Sequence, residues 1–113
     1  MIVTKASMIN VLNNRDPEFV AHYIGRALVA LFRRQIEVEK QSNSTVAANN
    51  IGFSKPDATD GCIGAKYYLK HNRLEAWQVD RWLKDFRGNP RIVKYSEQLN
   101  EIAETKSQYK MNV

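Results

Sequence analysis

Trp77, Arg81 and Lys84 are spaced four and three residues apart, which places their side chains on one face of an α-helix. An exposed tryptophan can stack on a nucleotide base while neighbouring cations contact the phosphates. The spacing therefore predicts a surface with the chemistry needed to bind single-stranded nucleic acid. The competing interpretation is that Trp77 packs against a neighbouring helix or loop, which would leave the cations as ordinary solvated charges.

Basic residues around this helix extend the candidate site. The chain carries a net charge of +5, and residues 66–94 account for this excess, with eight Lys or Arg against three Asp or Glu. A localised basic surface suits a phosphate backbone or an acidic protein. The predicted contact residues beyond the first three are Arg87, Arg91, Arg73 and Lys70.

The elements that would position these residues are helical. Apolar residues recur with a period near 3.6, and Asp16-Pro17 and Asn89-Pro90 are typical helix openings. We predict one all-α domain, residues 1–113, in which two longer terminal helices bracket a short helical hairpin. The expected helices lie near 17–40, 59–70, 74–86 and 90–106, and the expected flexible ends are 1–15 and 107–113.

Apolar spacing also predicts the buried residues. Residues 42–56 are rich in turn formers and are predicted to be a loop that Ile51 and Phe53 attach to the core. On the third helix one face is expected to be buried, and the residues predicted for the core across the chain are Leu28, Leu31, Val79, Trp82, Leu83, Phe86 and Leu99.

Several functional classes find no support in the sequence. Cys62 is the single cysteine, so neither an internal disulfide nor a Cys-rich zinc site is expected. Asp57 and Asp60 fit helix capping better than acid–base catalysis, and no glycine-rich phosphate loop is present. We therefore expect a protein that is not an enzyme and that needs no metal or small-molecule cofactor.

The cellular location is inferred from what the chain lacks. It has no long apolar run that could span a membrane and no signal-peptide pattern at its start. We expect a cytoplasmic protein that does not associate with membranes.

The predicted hairpin has the outline of a helix-turn-helix, with two short helices joined by three residues. Its turn lacks glycine, and the second helix carries two tryptophans and three acids. These features favour the exposed basic and aromatic surface over insertion of that helix into a DNA groove.

The stretch from Ile51 to Ala103 resembles small proteins of tailed bacteriophages that infect enteric bacteria. The segments 14–17 and 27–31 look similar too. This resemblance implies an origin in a bacteriophage and a location in the cytoplasm of the bacterial host. The matching positions are Gly52-Phe53, Asp57-Ala58, Leu69, Arg73-Leu74, Gln78, Arg91-Ile92, Lys94-Tyr95, Gln98-Leu99 and Ile102-Ala103.

The middle of the chain is similar to a short module of phage and bacterial DNA-processing proteins. The usual run of that module is Gly, any residue, Leu, Ser or Thr, any residue, Lys, Gln. Residues 72–78 keep its Leu and Gln as Leu74 and Gln78, whereas Glu75 replaces the Ser or Thr and Trp77 replaces the Lys. The similarity implies a phage origin, and the expectation of an accessory protein that binds nucleic acid rests on the basic and aromatic residues.

The phage resemblance also implies an alternative from another functional class. Small phage proteins often disable host immunity by binding a protein complex, as anti-CRISPR proteins do. A basic face with aromatic anchors could occupy such a complex by protein–protein contacts. The partner is therefore expected to be nucleic acid or a host protein complex.

Overall fold

The computed structural model describes residues 3–42 and 52–111. Most of this part of the chain is helical, as the sequence pattern predicts, and one small antiparallel sheet is present. The helices and strands are α1 (Lys5–Leu12), α2 (Pro17–Ser42), α3 (Ala58–His71), α4 (Ala76–Leu83), β1 (Asp85–Phe86), β2 (Asn89–Pro90) and α5 (Ser96–Met111), with 3₁₀ turns at Lys55–Asp57 and Arg91–Tyr95.

The four-helix arrangement expected from the sequence is not what the structure shows, because five α-helices are present in the described part of the chain. Helix α1 forms within the segment for which no helix was predicted. Thr4 caps α1, since its side chain accepts a hydrogen bond from the Ser7 amide and the Ser7 hydroxyl accepts one from the Thr4 amide. Met8 of α1 is fully buried. The flexibility expected for residues 1–15 and 107–113 stays a prediction.

Helices α2 and α3 pack closely because glycines lie at their contact. A Cβ atom on Gly25 of α2 would lie only 2.2 Å from the ring of Tyr68 on α3. In the other direction, a Cβ on Gly64 of α3 would come within 2.8 Å of Leu28. Gly25 and Gly64, each of which intrinsically weakens its own helix, therefore allow the two backbones to approach each other.

Helices α3 and α4 form an antiparallel hairpin. Asn72 takes the left-handed conformation at the end of α3, with φ +55°. Asp60, near the start of α3, binds Arg81 near the end of α4, and Tyr67 near the end of α3 donates a hydrogen bond to Glu75 just before α4. These two contacts place Trp77 level with the middle of α3.

The segment after α4 departs from the sequence prediction. Helix α4 ends at Leu83 instead of residue 86, and Asn89-Pro90 forms β2 instead of opening a helix. Arg87 and Gly88 form the turn between the strands with φ +54° and +89°, as a type I′ turn requires. Helix α5 accordingly begins at Ser96, after a 3₁₀ turn.

The core lies between α2, α3, α4 and the start of α5. The burial predicted for Leu28, Leu31, Trp82 and Leu99 is confirmed. Phe53 is buried as expected, and Ile51 lies outside the described residues. No helix in the described ranges is both long enough and apolar enough to cross a bilayer.

Candidate functional site

The two tryptophans of α4 lie in opposite environments. Trp82 is 1% exposed and packs near Phe53 and Tyr95, with ring centroids 5.9 Å and 6.4 Å away. Trp77 is 57% exposed, the highest value among the large apolar residues that the structure describes as exposed. The sequence leaves both exposure and packing open for Trp77, and the structure shows it exposed.

Three exposed cations surround Trp77 in sequence. Lys70 lies in the last turn of α3, Arg73 in the connection to α4, and Lys84 directly after α4. None of the three forms an ion pair with a carboxylate in the described ranges. Lys84 lies seven residues after Trp77, which is two helical turns and about 10 Å along the axis. Their charges are therefore available to an external anion.

Arg81 and Arg91, also predicted as contact residues, are engaged with acidic side chains. Arg81 donates from Nε to Asp60 at 2.7 Å, and its Nη2 lies 3.8 Å from Asp57. Arg91 donates from Nε to Asp57 at 2.5 Å. Part of the positive charge expected on this surface is therefore neutralised inside the protein.

Asp57 is the centre of a buried polar cluster, which we call the Asp57 cluster. Its carboxylate is fully buried and accepts hydrogen bonds from Tyr95 at 2.5 Å and Ser54 at 3.3 Å, besides the bond from Arg91. Lys94 Nζ lies 2.6 Å from the same carboxylate. Asp57 precedes α3, but its side chain makes no capping hydrogen bond. The capping role expected for this residue is therefore wrong.

Two pKa values in the Asp57 cluster are displaced. Burial by itself would raise the pKa of Asp57, but the hydrogen bonds donated by its three strongest partners outweigh burial and hold that pKa below its usual value. Burial, together with the bond to Asp57, raises the pKa of Tyr95 to about 12. At neutral pH the cluster therefore contains a carboxylate and a protonated phenol.

Phe86, which was expected in the core, is only half-buried and lies on β1 with cations around its ring. Lys94 Nζ lies 4.9 Å from the ring centroid, and the guanidinium carbons of Arg91 and Arg87 lie 5.2 Å and 5.3 Å from it. We call Phe86 with these three residues the Phe86 cluster. It places Arg87 and Arg91, both predicted as contact residues, around one ring.

The sequence pattern did not predict Lys94 or Phe86 as site residues. It also did not predict that Asp57 pairs with Lys94. Lys94 was counted in the basic segment but was not assigned to the contact surface. The available signal was Arg87-Gly88 between two short segments, because a glycine at the second turn position favours a tight hairpin. A hairpin at that position removes Phe86 from the helical face on which it was placed.

Within residues 3–42 and 52–111, no group of three or more His, Cys, Asp or Glu side chains is arranged to bind a metal ion. No protein-family model, no curated protein and no solved structure matches the chain.

Proposed function

We propose that this protein binds single-stranded nucleic acid through Trp77, Lys70, Arg73 and Lys84, which we call the Trp77 surface. Trp77 stacks on a base, and the three cations contact phosphates on either side of it. Such a surface needs no fixed base sequence, because every base has a face on which an indole can stack. In this proposal the protein acts by binding and not by catalysis, without a cofactor.

The exposure of Trp77 carries the proposal. A tryptophan that contributes to the core would be expected to lose most of its accessible surface, as Trp82 does. Trp77 instead is 57% exposed, and Lys70, Arg73 and Lys84, which flank it in sequence, form no ion pair with a described carboxylate. Base stacking on such a ring contributes about 1–3 kcal/mol per base.

Fluorescence provides a direct test, because Trp77 and Trp82 are the two tryptophans of the chain. Titration with a single-stranded oligonucleotide should quench the emission of Trp77, and the quenching should be absent in Trp77→Phe. The buried Trp82 supplies an internal reference. Binding without any change in emission would contradict stacking on Trp77.

Affinity measurements complete the test. Trp77→Ala should weaken binding to a labelled single strand about 5- to 150-fold, which corresponds to the loss of one stacked base. Leu69→Ala is the matched control, because Leu69 is an apolar residue of α3 with a similar exposure of 50%. Equal affinities of the two variants in a fluorescence anisotropy titration would reject the proposed surface.

A second candidate function is inhibition of a host protein complex. The observation that favours it is that Ile63 and Leu69 of α3 are 47% and 50% exposed and lie on the same helical hairpin as Trp77. Exposed apolar side chains of this kind are what a protein partner buries. In that case binding to the partner would depend little on salt, whereas phosphate contacts weaken steeply as salt rises.

The setting that we propose is the cytoplasm of a bacterial host infected by a tailed bacteriophage. Its support is the resemblance of residues 51–103 to proteins of such phages. A pull-down from infected lysate, with and without nuclease treatment, separates a nucleic-acid partner from a protein complex. A partner that stays bound after nuclease treatment would favour the second candidate.

A further inference from the structure

The Phe86 cluster gathers more positive charge than the described acids around it neutralise. The charged groups of Arg87, Arg91 and Lys94 all lie within 5.3 Å of one ring centroid. Their mutual distances are therefore comparable with the Debye length of about 10 Å in 0.1 M salt, so they repel one another. The ring offsets part of this repulsion through cation–π attraction.

Asp57 is the described carboxylate that pairs with Arg91 and Lys94, and it contributes one negative charge against two cations. It is also 3.8 Å from Arg81, whose nearer partner is Asp60. Arg87 is exposed and forms no ion pair within the described ranges. The Phe86 cluster, at the β1–β2 hairpin, therefore retains a net positive charge.

Lys94 already donates to Ser54 and contacts Asp57, so the donors left for a ligand are those of Arg87 and Arg91. The hydrogen bond of Arg91 to Asp57 uses Nε, and no fully buried side-chain nitrogen in the described part of the chain lacks a partner. The Nη atoms of Arg91 therefore reach solvent, and its side chain is 16% exposed. A guanidinium fixed at one nitrogen and open at the others is preorganised for a tetrahedral oxyanion.

We propose that Arg87, Arg91 and Lys94, gathered around Phe86, form a binding site for a phosphate group, which in the proposed function belongs to the nucleic-acid backbone. The site rests on that function and extends it, because it gives the strand an anchoring point beyond the end of α4. The Arg91 amide donates a hydrogen bond to the Lys84 carbonyl at 2.9 Å, so the site adjoins Lys84 of the Trp77 surface. Asp57 acts as the positioning residue that fixes Arg91 and Lys94.

Inorganic phosphate tests the site without any nucleic acid. In a titration followed by NMR of the arginine side chains, the chemical shifts of Arg87 and Arg91 should change and reach a plateau at millimolar phosphate. Arg33 is the matched control, because it is an exposed arginine of α2 outside the Phe86 cluster. Shifts of Arg87 and Arg91 no larger than those of Arg33 would overturn the site.

Two variants test whether the chemical-shift changes caused by phosphate depend on the Phe86 cluster. Arg87→Ala and Phe86→Leu should both abolish the saturable shift of Arg91, the first by removing a donor and the second by removing the ring that gathers the cations. Phe86→Leu keeps an apolar side chain at this half-buried position, and thermal melting of each variant shows that it is folded. A shift of Arg91 that persists in both folded variants would contradict the proposal.

Oligonucleotide binding separates this proposal from the proposed function. Arg87→Ala should weaken binding of a single strand about tenfold, whereas Arg33→Ala should leave it unchanged. If the strand binds and the two variants are equal, the phosphate site is wrong and the function stands. If phosphate binds to the cluster but no strand binds to the protein, the site stands and the proposed function is wrong.

Discussion

At the scale of single residues, Asp57 has the largest energetic role among the described charges. Its carboxylate is fully buried and is stabilised by Arg91 and Lys94 of the 3₁₀ turn after β2. Asp57→Asn leaves these cations around a neutral group, which should lower the free energy of unfolding by about 3–5 kcal/mol. Urea denaturation of the variant against wild type measures this loss.

The control for this prediction is Asp60→Asn. Asp60 also binds an arginine, but its side chain is 36% exposed. A solvent-exposed ion pair contributes about 0–1 kcal/mol, so this variant should remain close to wild type. Equal destabilisation by the two substitutions would mean that burial of Asp57 is not what makes its charge important.

The displaced pKa values of the Asp57 cluster predict how stability depends on pH. The pKa of Asp57 is lower in the folded protein than the value of about 3.9 in an unfolded chain. Its contribution to stability is therefore complete above about pH 4 and is lost as the pH falls towards the folded pKa. The pKa of Tyr95 is raised to about 12, so its contribution is complete below about pH 10 and is lost as the pH rises towards 12.

Unfolding midpoints measured across the pH range test both limbs. The acid limb attributable to Asp57 should be absent from the profile of Asp57→Asn, and the alkaline limb should weaken in Tyr95→Phe. Parallel pH profiles for wild type and both variants would contradict the assignment of these titrations to the cluster.

At the scale of elements, the hairpin of β1 and β2 combines a strained turn with the candidate phosphate site. Arg87 occupies a left-handed position, with φ +54°, that asparagine and glycine occupy more readily. Arg87→Asn should therefore stabilise the fold by up to about 1 kcal/mol, because Asn-Gly suits a type I′ turn. The same substitution removes a cation from the Phe86 cluster and should weaken strand binding.

A melting curve and a binding titration on the same sample of Arg87→Asn test this trade-off. Opposite changes in melting temperature and affinity would indicate that arginine is kept at this position for binding. A variant that is less stable than wild type would show that the contact of Arg87 with the Phe86 ring outweighs the strain of the turn.

At the scale of the whole molecule, the proposal requires that the position of the basic charge matters and not only its total. Reversing the charge of Lys70, Arg73 and Lys84 to glutamate should abolish binding to single strands. Reversing that of Lys5, Arg15 and Arg33, which are exposed on or beside α1 and α2, gives the same net charge and should retain most of the binding. Salt-dependent anisotropy of the two triple variants measures the difference, since each lost phosphate contact reduces the slope of log K against log salt by about 0.7.

Equal loss of binding in both triple variants would indicate a nonspecific response to net charge. That outcome would remove the support for an interface localised on the α3–α4 hairpin. Melting temperatures close to wild type are expected for both triple variants, because substitutions of exposed residues usually change stability by less than about 0.5 kcal/mol.

The sequence by itself determined the helices whose signals are local. Asp16-Pro17 opens α2, and the Asp16 carboxylate accepts a hydrogen bond from the Glu18 amide as a cap should. The period of 3.6 residues placed Trp82 inside, which the structure confirms, and put Trp77 on the other side of the helix, where it is exposed. These features follow from neighbours within one or two turns, so the sequence pattern contains the necessary information.

Only the tertiary structure decided the arrangement of charges. Asp57 interacts with residues 34 to 38 positions later in the chain, and no local period relates such positions. The pair Asn89-Pro90 is compatible with a helix opening or a strand, and the left-handed turn at residues 87 and 88 selects the strand. Which cations remain available to a ligand depends on which of them a buried carboxylate engages, and long-range packing determines that choice.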